Sequence, residues 1–125
     1  MRLSSFGFED LEVWQKSVNF CIQVIDLTEN IISDRKHFRL VEQLEASSTS
    51  IASNIAEGKG RYSKREYVQF LYIARGSLCE TITLLEVFFK KGWINQTKAE
   101  KIRILGEEIG KMLSGLIFSI KKTIN

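Results

Sequence analysis

An all-α chain, folded as a single up-down-up-down antiparallel four-helix bundle, is the architecture this sequence predicts. Three observations carry it. Apolar residues recur at alternating steps of three and four through four long segments. The breaks between segments are short, which makes consecutive helices antiparallel neighbours. The chain has no proline, and no alternating strand pattern competes. Its 125 residues, 44% of them hydrophobic, amount to one domain over 1–125 with a core of its own.

The first helix is expected over about 10–32, with Leu11, Trp14, Val18, Cys21, Ile25, Thr28 and Ile32 as its seam. Glu9, Asp10 and Glu12 crowd its start, where the helix dipole favours negative charge. The second is expected over about 36–57, with Phe38, Val41, Leu44, Ser48, Ile51 and Ile55 as its seam. Its middle, Ala46-Ser47-Ser48-Thr49-Ser50, is small and polar. Serine is a mediocre helix former, so close tertiary contacts must hold this stretch. Gly58 and Gly60 are expected to end the helix in the left-handed conformation of a C-terminal cap.

Ser63 opens the third helix, over about 63–91, and Ser63-x-x-Glu66 is a capping-box pattern. Tyr67, Leu71, Ala74, Leu78, Leu85 and Phe88 line it, and Gly92 stops it. The fourth, over about 95–122, begins at Asn95 or Thr97. Its seam is Ile102, Leu105, Ile109, Met112, Leu116 and Ile120. Lys121 and Lys122 suit its C-terminal dipole. Gly106 and Gly110 share a face, with Gly115 nearby, and permit close packing within the bundle or across a subunit interface.

Mixed charge and ample aromatics argue against disorder. Cys21 and Cys79 lie in apolar periodic segments, as buried reduced thiols of a cytoplasmic protein do. Met1 to Gly7 lacks the long apolar run of a signal peptide, and the runs at 84–89 and 116–120 are too short to span a bilayer. No membrane partner is therefore expected. Net charge is +3, unevenly spread: residues 1–45 carry 5 basic and 8 acidic side chains, residues 46–125 carry 13 and 7. A basic half favours a polyanion, although an ordinary solvated surface has the same balance.

Catalytic chemistry finds little footing. With a turn centred near residue 60, residue 80 falls opposite residue 41. That register brings His37, the one histidine, within reach of Cys79 as a Cys–His pair. An exposed histidine at a helix start is the commoner arrangement. No Glu-x-x-His pair marks a di-metal site, and the cysteines and histidine have no zinc spacing. Gly58-Lys59-Gly60 has neither the phosphate-loop spacing nor a preceding strand. No cofactor or metal is expected. Glu57 and Glu80 could do acid–base work but fall near opposite ends of the third helix.

Asn54 and Glu57 lie close to the second seam. The same register sets Asn54 near Tyr67 and Glu57 near Lys64 or Arg61. They read as a hydrogen-bond network that fixes the helix–turn–helix rather than as catalysts. Lys59, Arg61, Lys64 and Arg65 put four cations into seven residues, interleaved with Tyr62 and Tyr67. Cations beside stackable rings can grip phosphates and bases, though a solvated turn has the same composition.

Phe8-Glu9-Asp10-Leu11-x-Val13-Trp14-Gln15-Lys16, Gln43, Ser50-Ile51-x-Ser53-Asn54-Ile55-Ala56-Glu57-Gly58, Gly60-Arg61, Ser63, Glu66, Phe70-Leu71, Ile73-Ala74 and Gly76-Ser77-Leu78-x-Glu80 form a familiar pattern. It resembles the proteins encoded in intervening sequences of bacterial 23S rRNA genes, the S23 family. The resemblance implies a left-handed four-helix bundle and a ring-shaped homopentamer. It also brings in relatives from diversity-generating retroelements, basic accessory proteins that bind a reverse transcriptase and nucleic acid. Two departures stand out. Ala52 occupies a place where the family usually has proline, which restores an amide hydrogen bond and straightens the second helix. Glu45 and Ala46 occupy places where the family tends to have arginines, which leaves Glu80 without that partner; Arg39 or solvent could substitute.

Three functions of different class follow. The first is a non-enzymatic homo-oligomer that binds RNA or DNA through Lys59, Arg61, Lys64 and Arg65, with Asn54, Glu57, Gly58, Ser63, Glu66 and Glu80 as structural residues. The second is a scaffold for a partner enzyme such as a reverse transcriptase. The third is an enzyme using Glu57, Glu80 or Cys79. Phe6, Phe20, Phe89, Trp93 and Phe118 are apolar groups in surplus of one core, available to an oligomer.

Overall fold

Four amphipathic helices, each with too wide an apolar face to stand alone in water, close on one another in a ring. The computed structural model describes residues 6–29, 31 and 37–124. After a 3₁₀ turn at Gly7–Asp10, α1 spans Glu12–Glu29, α2 Phe38–Lys59, α3 Lys64–Lys90 and α4 Gln96–Lys121. Each helix packs on its two ring neighbours, and the diagonal pairs make no close backbone approach. Side-chain pairs set every neighbour antiparallel: Thr28 with Glu45, Ser50 with Ser77, Arg75 with Ser114, Lys16 with Glu108. This is the expected four-helix bundle, and no strand occurs among the described residues.

The first helix begins later than expected. Phe6 N donates to Glu9 Oε1 (2.7 Å) and Gln15 Nε2 to Glu9 O (2.7 Å), which ties residues 7–10 into a separate turn before α1. Ile32 and Lys36, where the first helix was expected to end and the second to begin, lie outside the described residues. The core face of α1 is also one residue away from the expected seam. Val13, Ser17, Phe20, Val24, Leu27 and Thr28 are buried, while Trp14, Val18, Cys21 and Ile25 are half-buried. In α4 the buried line is Ile102, Gly106, Ile109, Leu113 and Ile117, so Leu105, Met112, Leu116 and Ile120 flank it. The two displacements share a cause. A Cβ on Gly106 would lie 3.2 Å from Phe20 Cε2 and 3.0 Å from Ile82 Cδ1. Phe20, fully buried rather than surplus, fills the space that Gly106 leaves open.

In α2, Leu44, Ser48, Ile51 and Ile55 face the core as expected, but Phe38 is exposed. The helix runs unbroken through Ala52. Its small residues meet α3 closely: Ser47 Oγ lies 2.8 Å from Thr81 Oγ1, and Ser50 Oγ 2.9 Å from Ser77 Oγ. These pairs correct the expected register. Residue 47 would have faced residue 74; it faces Thr81, seven residues on. The shift carries His37 away from Cys79 and onto Trp93, ring centroids 3.8 Å apart.

Gly58 and Gly60 do not cap in the left-handed region. Gly58 is inside α2, and Gly60 has φ −79°. Gly58 is required for proximity instead: a Cβ there would sit 2.7 Å from Phe70 Cβ. Gly92 is the described glycine with positive φ, at 76°. Trp93 N donates to Phe88 O (3.0 Å) and Gly92 N to Phe89 O (2.9 Å), a Schellman stop for α3.

Candidate nucleic-acid interface

The antiparallel ring brings the C-termini of α2 and α4 to one end, beside the N-terminus of α3. Ser63 builds the turn there. Its Oγ accepts from Arg65 N (3.1 Å) and Glu66 N (3.4 Å), satisfying amides that the first helical turn leaves open. The reciprocal arm of the expected capping box is replaced, because the Glu66 carboxylate faces Arg61 Nε at 3.9 Å.

All four sequence-predicted cations are exposed at this end. Lys59 Nζ stands 5.9 Å from the Tyr67 ring centroid. Lys64 Nζ donates to Thr123 Oγ1 (3.0 Å), linking α3 to the residues just past α4. Arg61 Cζ lies 4.8 Å from the Phe70 ring centroid, and Nη2 pairs with Glu57 Oε1 at 3.0 Å. Two carboxylates therefore compensate Arg61. Arg65 extends from the first turn of α3 with a partner of its own.

Sequence reasoning missed Arg75 and read Lys121 and Lys122 only as helix-end charges. Arg75 Nη1 donates to Ser114 Oγ (3.3 Å), and its Cζ lies 5.0 Å from the Tyr72 ring centroid. Lys121 Nζ donates to the Tyr72 hydroxyl (3.2 Å), and Lys122 Nζ stands 4.4 Å from the Phe118 ring centroid. Tyr72, Ser114, Ile117, Phe118, Lys121 and Lys122 line a shallow cleft between α3 and α4. The available signal was Tyr72 and Arg75, spaced three apart on one helix face, opposite the basic end of α4.

The cations form two groups. Arg61 is neutralised by acids. Lys64, Arg75 and Lys121 are held by hydroxyls and a ring, with no carboxylate in ion-pair distance among the described residues. A hydroxyl orients a cation without cancelling its charge, so this edge keeps a positive field.

The remaining candidates are structural or solvated. Asn54 Nδ2 donates to Ser50 O (2.7 Å) and Ser50 Oγ (2.8 Å), extending the Ser50–Ser77 link, and makes no hydrogen bond to the Tyr67 hydroxyl. The Tyr67 hydroxyl is buried without a partner among the described residues, and burial pushes its pKa above the ordinary 10.0. Glu80 is exposed, and neither Arg39 nor any other described cation replaces its expected arginine. Glu45, in one of those arginine places, accepts from Thr28 Oγ1 at 3.1 Å.

Cys21 is half-buried, with Sγ 3.4 Å from Thr49 Oγ1, whereas Cys79 is exposed and not buried as expected. The groove that holds Cys79 contains neither Glu57 nor Glu80. Among the described residues, no group of three or more His, Cys, Asp or Glu could hold a metal ion. No described helix is long and apolar enough to cross a membrane.

Comparison with known proteins adds two findings. A family model described as 23S rRNA-intervening sequence protein matches residues 9–115. A crystal structure from Bacteroides thetaiotaomicron, described as a protein of unknown function from the S23 ribosomal protein family, superposes with a TM-score of 0.78 at 30% identity. That match covers 84% of this chain and 97% of the other. No curated protein matches.

Proposed function

The chain belongs to the 23S rRNA-intervening sequence protein family, and on that premise we propose that it is a non-enzymatic, cytoplasmic, homo-oligomeric bundle that binds RNA or DNA at its basic end. The observation that carries this reading is the row Lys64, Arg75 and Lys121, oriented by neutral hydroxyls and without a carboxylate in ion-pair distance among the described residues. Lys59 and Arg65 extend it across the turn. Arg61, paired with Glu57, contributes less. Phosphates would meet positioned charges, and binding would release counterions. The groove that holds Cys79 brings neither Glu57 nor Glu80 to it, so those three residues do not converge there.

The test is a fluorescence-anisotropy titration of RNA and DNA oligonucleotides at several salt concentrations. Affinity should fall steeply with salt, and Lys59→Ala, Arg61→Ala, Lys64→Ala and Arg65→Ala combined should weaken it while helicity stays unchanged. Equal affinity of that variant and the parent would remove these residues from the site.

A second reading, a scaffold for a partner enzyme such as a reverse transcriptase, draws on exposed Ile22, Ile73, Val87 and Ile104. The same side chains would serve contacts between subunits, with the homopentamer implied by the family resemblance as the expected assembly. Salt-insensitive capture of a protein partner, without affinity for RNA at moderate salt, favours the scaffold. Light scattering at several concentrations tests the assembly.

A further inference from the structure

We propose that the ligand of the basic end is a single strand, lying along the α3–α4 edge with bases stacked on Phe118 and Tyr62. This inference rests on the nucleic-acid reading above. The edge has an order that the turn alone lacks. Lys64, Tyr72 and Arg75 on α3 are each bridged to the α4 side, through Thr123, Lys121 and Ser114. The eleven residue steps from Lys64 to Arg75 rise about 16 Å along the helix axis. A row of charges over that length follows a strand rather than a single anion.

Two exposed rings flank the row. Tyr62, in the turn before Lys64, is 105% exposed, and Phe118, one turn before Lys122, is 63% exposed. Neither ring supports the core. Tyr72 plays a different part: half-buried and engaged by Arg75 and Lys121, it aligns cations and leaves its face covered. The Lys122 ammonium, 4.4 Å from the Phe118 centroid, holds a place that a base can take. Once displaced, that ammonium is free to meet the adjoining phosphate. Stacking needs an open base face, which a single strand offers and a duplex keeps inside its own stack. A duplex would present only phosphates to this edge and leave Tyr62 and Phe118 without a role.

The experiment compares a fluorescein-labelled 16-nucleotide oligo(U) strand with a 16-base-pair RNA duplex by anisotropy over a salt series. The single strand should bind more tightly. Phe118→Ala should weaken single-strand binding at least about fivefold, the low end for one stacked base, without changing the salt slope or duplex affinity. Phe118→Leu, which keeps apolar bulk but removes the ring, should behave like Phe118→Ala. Lys121→Gln should instead lower the salt slope by about 0.7. Duplex binding as tight as single-strand binding, or Phe118 variants indistinguishable from the parent, would overturn the single-strand assignment and leave the nucleic-acid reading standing. Binding of neither probe would overturn both.

Discussion

At the turn end, Lys64, Arg75 and Lys121 donate to hydroxyls, and Lys59 and Lys122 sit over rings. At the far end, Lys90 Nζ and Arg103 Nη1 converge on the Glu86 carboxylate at 3.6 and 3.7 Å. The far end is further organised by rings: Trp93 lies tilted against His37 and meets Phe88 edge-on, centroids 5.2 Å apart. Each end has an exception, Arg61 paired with Glu57 and Glu66 at the turn and Lys91 over the Trp93 ring at the far end, so the difference lies in Lys64, Arg75 and Lys121 against Lys90 and Arg103. A carboxylate uses the cation's charge within the molecule, whereas a hydroxyl only aims it. Counting lysines and arginines cannot separate an interface from a self-satisfied surface; the identity of their neighbours can.

The largest expected effect tests whether the far end is structural. Phe88 is fully buried, so Phe88→Ala should destabilise by about 3–5 kcal/mol in denaturant titrations. The fraction still folded should bind RNA with the parent salt slope. A changed slope would mean that the far end takes part in binding. Next comes Gly58→Ala, where the new methyl meets Phe70 Cβ at 2.7 Å and must push α2 from α3, by about 1–3 kcal/mol. Because this strain lies beneath the turn, it should also loosen the cation row and lower affinity.

Ser63→Ala removes the acceptor of two helix-start amides and should lower stability by about 1 kcal/mol, read as a shift in denaturation midpoint. Glu86→Gln should change stability by less than about 1 kcal/mol, since the pairs are half-exposed. It sharpens the comparison all the same. Freed of their carboxylate, Lys90 and Arg103 should add salt-dependent RNA affinity at the far end, and an unchanged slope would break the argument.

The smallest effect is alkaline. Burial raises the Tyr67 pKa above 10.0, and the hydrogen bond to Glu108 raises that of Lys16 above 10.5. In both cases the folded chain keeps a proton that the unfolded chain loses. Their stability contribution is therefore full below pH 10 and falls as pH rises through the folded pKa values. Denaturation midpoints at pH 9 and pH 11 should show the loss, and Tyr67→Phe should reduce it. At pH 7, Tyr67→Phe should be neutral or slightly stabilising, because the buried hydroxyl has no partner to lose among the described residues.

Much of the candidate site was legible locally. The Ser63 cap, the Glu57–Arg61 pair at a four-residue spacing and the exposed cations of the turn all depend on neighbours within a few residues. The cross-helix partners of Arg75 and Lys121 were not legible, because Ser114 lies 39 residues from Arg75 and Tyr72 49 from Lys121, and they meet only through the α3–α4 pairing. The compensation of Lys90 and Arg103 was hidden for the same reason: Arg103 reaches Glu86 from the next helix.

By itself the sequence determined four helices, their order and their antiparallel ring, since periodicity and break positions are local properties that short connections convert into topology. Only the tertiary structure decided which of two adjacent apolar stripes of α1 and α4 faces inward, and how far α2 slides along α3. Turning a helix by one residue, or sliding it by a turn or two, leaves an amphipathic pattern nearly unchanged. Shape removes that freedom: Phe20 fits where Gly106 has no side chain, Phe70 lies against Gly58, and Ser47 meets Thr81.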